Sequence, residues 1–225
     1  AQLVPLDRDQ ANYLFAVMRL NVGESLLVFN GKDGEWIANI ESGNKRAATL
    51  SCMKQTRTTQ VPPDVWLLFA PIKKARTDFI VEKATELGAA EIQPVSTDFT
   101  NAERIRQDRL QAHAIEASEQ CGGTFVPTVK DLQKLDSVLD NWPSDRHILY
   151  CDEALVGTTS TVADLPDGKW AILIGPEGGF SERERQKISK MKNAFPISLG
   201  PRILRADTAA VASLSLWQEH LGDWR

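Results

Sequence analysis

From Val65 onward the chain alternates short apolar runs with stretches of helical spacing, and this alternation restricts the fold more than any other feature. Val65–Ala70, Glu91–Val95, His147–Cys151, Trp170–Ile174 and Phe195–Leu199 read as buried strands. Between them, residues 73–88 place Phe79, Ile80, Ala84 and Leu87 at helical spacing and stop at Gly88. A second helix is predicted over about 103–120. A third opens at Ser181, where Glu184 completes the spacing of a capping box. A last one runs over about 207–221. Strands separated by helices predict an α/β domain with a parallel sheet.

The first sixty residues follow a different rule. Residues 25–29, 35–40 and 47–52 are short β-prone runs, with Asn30-Gly31 and Asp33-Gly34 as turn signals between the first two. They predict a small β-barrel or meander. Gln55 to Pro63 is polar and ends in two prolines, the composition of a linker. We therefore expect two domains, 1–60 and 61–225.

The formal charge of −4 offers no global pull toward nucleic acid. Its distribution is uneven: residues 1–62 hold seven Lys/Arg against six Asp/Glu, and the remainder nineteen against twenty-four. A net charge is a sum, so a local basic face is compatible with it. Cys52, Cys121 and Cys151 are odd in number, widely spaced and without zinc-type partners, which predicts a reducing, cytoplasmic setting and no metal. No apolar run approaches the ~18 residues of a membrane span, so no membrane role is expected. Ala1 rather than Met at the start leads us to expect a native stretch ahead of it.

The most informative stretch is Ile172–Ser181, where an apolar strand enters Gly-Pro-Glu-Gly-Gly and then a capped helix. This places backbone N–H groups at the carboxyl end of a strand, where open α/β sheets bind ligands. A tight strand-to-helix connection would use the same glycines and proline. Neither a P-loop nor a GxGxxG fingerprint occurs. A second junction, Ser198–Ala209, repeats Gly-Pro after a strand and adds Arg202 and Arg205 before an Asp-Thr helix start. Two such loops from neighbouring strands can form one pocket.

Together the two loops, LIGPEGGFSERE and LGPRILRADTA, resemble the 16S ribosomal RNA (uracil-N3) methyltransferase family of the SPOUT superfamily. The resemblance extends to Lys83–Gly88, Glu116–Gly122 and Met18–Gly23, and so covers nearly the whole chain. It implies an N-terminal PUA-like or OB-like β-barrel that binds RNA. It further implies a C-terminal SPOUT domain whose chain threads a deep trefoil knot, and a homodimer packed through the knotted domains. The implied cofactor is S-adenosyl-L-methionine and the implied partner 16S rRNA in the 30S subunit.

Residue by residue, the resemblance puts the cofactor against the segment after Cys151 and against Ile174, Gly175, Gly179, Leu199, Gly200, Ile203 and Leu204. Arg205 and Arg202 are the candidates for balancing charge on the uracil carbonyls as N3 loses its proton, or for holding a phosphate; a surface salt bridge would explain either as well. Glu177 is a candidate base or substrate-orienting group, with a capping or structural role equally open. Arg19, Lys73 and Arg76 are candidate RNA contacts, with Lys32 and Lys74 behind them. Glu119 and Gln120 could reach the RNA or simply line a solvated helix face. His113 and His147 stand alone and receive no role.

The sequence departs from the family at Asp207, where members carry Glu, and at Gly123, where an arginine is expected; the basic N-terminal segment of members is not part of this sequence. These departures bear on RNA affinity. Two other functions fit the same residues: a SPOUT methyltransferase acting on another rRNA or tRNA position, and a catalytically silent RNA-binding module of ribosome assembly.

Overall fold

A computed structural model describes residues 2–101, 104–152, 162 and 165–225. It divides into two compact units, one up to Val61 and one from Pro62 on.

In the first unit, β1 (Gln2–Leu6) leads into α1 (Arg8–Asn12), a wider turn of π-helix over Tyr13–Val17, and then β2 (Ser25–Phe29), β3 (Glu35–Asn44) and β4 (Ala47–Arg57). All pairs are antiparallel, in the order β1-β4-β3-β2. The predicted barrel is therefore a four-stranded sheet whose described pairings leave β1 and β2 as edges. Period-2 alternation sends Ala38, Ile40 and Leu50 inward, where Leu14 from the π-helical turn meets them. Asp7 and Gln10 close a reciprocal capping box that starts α1. β1 and α1 were not predicted. β4 runs to Arg57, into the stretch that reads as a linker, because Arg57 pairs across the sheet with Glu35 at 2.5 Å.

The second unit is a parallel sheet between two helical layers. Its elements are β5 (Val65–Phe69), α2 (Lys74–Glu86), β6 (Glu91–Ser96), α3 (Gln107–Cys121), β7 (Thr128–Val129), β8 (Gln133–Lys134), α4 (Leu135–Asp140), β9 (Arg146–Cys151), β10 (Lys169–Ile174), α5 (Glu182–Ser189), β11 (Ala194–Ile197) and α6 (Ala206–His220). The strand order is β11-β9-β10-β5-β6-β7, with β8 added beside β6, and every pair is parallel.

Both faces of such a sheet must be covered, and its central strands are accordingly apolar on both sides. Leu67, Phe69, Ile172 and Ile174 share one core cluster with Ile80 and Ala84 of α2, Ala114 of α3 and Leu214 and Trp217 of α6. Leu68, Ala171 and Leu173 face the other way, toward Leu135 and Leu139 of α4 and Ile188 of α5. Among the described residues no helix is long and apolar enough to cross a membrane.

The amino ends of the central strands are locked. Arg146, 5% exposed, donates to both oxygens of Asp64 at 2.8 and 2.9 Å and to the Trp170 carbonyl at 2.8 Å, and lies over the Trp66 ring at 3.6 Å. Pairing and hydrogen bonding of this kind offset the cost of holding a charge at that depth. His147 packs edge-on to Phe195 and tilted against Trp170, a structural position. The carboxyl ends are left to the loops.

Candidate functional site

Three neighbouring strands, β11, β9 and β10, deliver their carboxyl ends to one place. Ile197 is in register with Cys151, and Leu173 with Tyr150, so the loops that follow emerge side by side. Between them lies a cavity lined by Cys151 and Asp152 after β9, Ile174–Glu177, Gly179 and Phe180 after β10, and Ile197, Leu199, Arg202, Ile203 and Leu204 after β11. Ala206 and Ala209, one turn apart at the start of α6, complete its wall.

The loop after β10 is held from several sides. Gly179 takes φ +68° and donates to the Pro176 carbonyl at 2.9 Å, which turns the chain back. Phe180 is buried and its ring passes under Gly175, where a Cβ would stand 3.3 Å from two ring carbons. Ser181 then caps α5. Its backbone N–H donates to Glu184 at 2.9 Å and its hydroxyl accepts the Glu184 N–H at 3.3 Å.

Glu184 is 2% exposed and also accepts the backbone N–H of Asp98 at 2.9 Å, which ties the loop after β6 to the start of α5. The Ser181 hydroxyl and Arg183 donate to the Asp98 carboxylate at 2.5 and 2.8 Å. These bonds, led by Arg183, hold the Asp98 carboxyl below the usual aspartate range.

The loop after β11 is open by contrast. Gly200 takes φ +104° with nothing near its missing side chain, Ile203 is 71% exposed, and Arg202 and Arg205 are exposed with no ion-pair partner among the described residues. Arg205 is the residue at which α6 opens, without a side-chain cap. The helix start is held instead by Asp207, which is buried and paired with Arg76 of α2.

The cavity's chemistry follows from its lining. Ile174, Ile197, Leu199, Ile203 and Leu204 give apolar walls, and the glycines give close access to backbone. Asp152 is engaged by Arg185 at 3.4 Å. Burial pushes the Cys151 thiol up to about 12, so it stays protonated and serves as wall, not nucleophile.

These features coincide with a family of known chemistry. Residues 59–218 match the model of an RNA methyltransferase domain, and residues 6–51 match an RNA methyltransferase PUA domain. The chain belongs to this RNA methyltransferase family. The ribosomal RNA small subunit methyltransferase E of Rickettsia conorii is 30% identical over 91% of this chain and 84% of its own length, and that of Bacillus subtilis 27% over 92% and 86%. A crystal structure of the Neisseria gonorrhoeae ribosomal RNA small subunit methyltransferase E, bound to S-adenosyl methionine, superposes with a TM-score of 0.89 at 29% identity, covering 100% of this chain and 94% of that one. A Legionella pneumophila methyltransferase in complex with the same cofactor gives 0.89 at 31% identity, over 99% and 93%.

Of the residues singled out from the sequence of this methyltransferase, Ile174, Gly175, Glu177, Gly179, Leu199, Arg202, Ile203 and Leu204 line the one cavity. Gly200 and Arg205 belong to the same loop but are not part of its lining. The segment after Cys151 reaches the cavity with Asp152, and residues 153–161 lie outside the described residues. Glu177 is exposed and takes no part in the cap, which belongs to Ser181.

Among the candidate RNA contacts, Arg19 is exposed and is the one non-glycine residue with positive φ among those described, while Lys73 and Lys74 are exposed at the start of α2. Arg76 is different: its guanidinium pairs with Asp207, which clamps α2 to α6. Glu119 and Gln120 lie on the exposed face of α3. Sequence reasoning missed Ile197, Ala206 and Ala209 in the wall, and Asp98 behind it.

Proposed function

We propose that this chain transfers a methyl group from S-adenosylmethionine to N3 of a uridine in 16S ribosomal RNA. The observation that carries the reading is the single cavity made by both glycine-proline loops at the carboxyl ends of β10 and β11, in a fold shared with cofactor-bound methyltransferases.

The lining suits the cofactor. Ile174, Leu199, Ile203 and Leu204 offer apolar surface for an adenine ring, and Gly175 and Gly179 let backbone groups approach it closely. When bound, S-adenosylmethionine supplies a methyl group already activated on a sulfonium. The protein's own task is alignment, and a positioned pair of reactants can supply most of the needed acceleration. Arg205, helped by Arg202, balances the negative charge that grows on the uracil carbonyls as N3 gives up its proton. Glu177, free of the helix cap and exposed on the rim, takes that proton or passes it to water.

Family resemblance supports three finer features of the same reading: a trefoil knot in the second unit, a homodimer packed through it, and the assembled 30S subunit as the form in which the RNA is met. The N-terminal unit is the RNA-binding domain in this reading, with Arg19 among its contacts, and Lys73 at the start of α2 is a contact from the second unit.

The test is methyl transfer from labelled cofactor to 30S subunits that lack their native uridine methylation, followed by mapping of the modified nucleotide. Label at N3 of one uridine is expected. Label on another atom or another RNA would replace the substrate, and no transfer with any RNA would overturn the enzymatic reading.

A further inference from the structure

We propose that the N-terminal unit carries a cleft for backbone phosphates of the RNA substrate, formed by Arg8, Lys45 and Arg46 with Asn12; the proposal rests on reading the chain as an RNA methyltransferase. These residues and Asp9 line a cleft of about 390 Å³. Three cations against one carboxylate leave it a formal charge of +2, on a chain whose net charge is −4. None of the three forms an ion pair with a described residue, whereas Arg57 of the same unit is closed onto Glu35.

The local structure puts the cations there without needing them for folding. Lys45 and Arg46 are the two central residues of the β3–β4 hairpin, between the paired residues Asn44 and Ala47. Two-residue hairpin turns favour Asn-Gly, Asp-Gly or Gly-Gly at those positions. Here the backbone adaptation is made two residues earlier. Gly43 takes φ +148°, and a Cβ on it would fall 2.5 Å from the Ala48 Cβ, while the Asn44 side chain accepts the Arg46 N–H at 2.8 Å. The turn tip is thereby released from turn chemistry and given to two positive charges.

Arg8 arrives from a different element. The Asp7 capping box fixes the start of α1, and fully buried Ala11 seats that helix in the unit, so Arg8 and Asn12 are set on one side of it, four residues apart. Two guanidinium forks, an ammonium and an amide N–H₂ converging on one cleft match phosphate oxygens, which arginine binds in pairs. All of these residues fall within the matched RNA methyltransferase PUA domain. Phosphate contacts of this kind fix the register of the protein on its RNA and carry no sequence information.

The experiment compares the full chain with the R8A/K45A/R46A variant in binding to unmethylated 30S subunits across a range of KCl concentrations, with cofactor affinity and thermal unfolding measured alongside. The variant is expected to bind roughly tenfold or more weaker at low salt, and to lose about two from the slope of log K against log salt, as three released counterion sites require. Cofactor affinity and unfolding temperature should not move, and R8K/R46K, which keeps the charges, should keep the slope. Equal slopes for the two proteins, or wild-type affinity that does not depend on salt, overturn the proposal. If the methyl group maps to another nucleotide or another RNA, the proposed function fails while the same comparison on the RNA that is methylated still decides the cleft.

Discussion

The two loops that line the cavity share a Gly-Pro start and are held in opposite ways. The one after β10 is pinned by the buried Phe180 ring, by the Ser181–Glu184 box and by the Asp98 bonds to α5. The one after β11 exposes Arg202, Ile203 and Arg205, with Leu199 and Leu204 resting on the core at either end and Asp207 meeting Arg76 just beyond it. A fixed side suits a small ligand that must be held the same way in every turnover. An open side, with cations that have no ion-pair partner among the described residues, suits a large anionic partner that comes and goes. The division assigns the fixed side of the cofactor site to the first loop and substrate contact to the exposed arginines of the second, whose Leu199, Ile203 and Leu204 complete the cofactor wall, and each assignment can be broken separately.

The largest effect is expected from Arg205→Ala. If the open loop works on the substrate, turnover falls by about 10²–10³, the usual loss for one donor aimed at developing charge. Cofactor affinity measured by calorimetry should stay level, and stability should change by less than about 0.5 kcal/mol because the side chain is exposed and makes no cap. A matching loss of cofactor affinity would move Arg205 to the other side of the division.

Next comes the pinned loop. Glu184→Ala removes the acceptor of two backbone N–H groups, those of Ser181 and Asp98, from a site that is almost fully enclosed. Bonds to a charged acceptor and the orphaned donors they would leave put the cost at about 2–4 kcal/mol. Urea unfolding should register it as a lower midpoint, and cofactor binding should weaken with it. An unchanged midpoint would mean that the loop does not depend on the α5 start.

That dependence explains what could be read from the sequence and what could not. The Ser181 and Glu184 spacing announced the helix, and its interior partner is three residues away. Asp98, the other partner, is 86 residues from Glu184. The same holds for Arg76, whose charge the sequence shows and whose partner Asp207, 131 residues on, it hides. The central strands were legible because burial on both faces demands continuous apolar runs, and β5 and β10 fall within a residue of where those runs lie. Short polar elements such as β8, with Gln133 and Lys134 exposed, carry no such signal. In the site, the glycine loops were visible as local chemistry, whereas Ile197, Ala206 and Ala209 join the wall only because parallel strands bring their ends together.

A smaller effect separates backbone strain from crowding in the two loops. Gly200 and Gly179 both have positive φ, at +104° and +68°. Alanine at Gly200 would meet nothing within 4 Å, so its cost should be conformational alone, about 1 kcal/mol or a few degrees in Tm. Thermal unfolding of G200A that falls much further would show that the open loop is packed against something in solution, and the contrast between the loops would weaken.

The smallest effect tests the pin itself through pH. Arg183 and the Ser181 hydroxyl lower the folded-state affinity of Asp98 for a proton, so the carboxylate stabilises the fold when ionised. The contribution is in place at pH 7, begins to fade as pH drops past the ordinary aspartate value of 3.8, and is gone once the folded-state carboxyl is protonated. Asp98→Asn should therefore lower stability at neutral pH and leave it unchanged in strong acid, a gap that closes with falling pH. Because the Asp98 and Arg183 side chains are 37% and 56% exposed, solvent screens the pair and the gap should stay below about 1 kcal/mol and shrink in high salt. A gap of the same size at pH 7 and in strong acid would show that the Asp98 side chain acts through its hydrogen bonds and not through its charge, whereas no gap at either pH would leave the backbone N–H of residue 98, which the substitution keeps, as the tie between the β6 loop and Glu184.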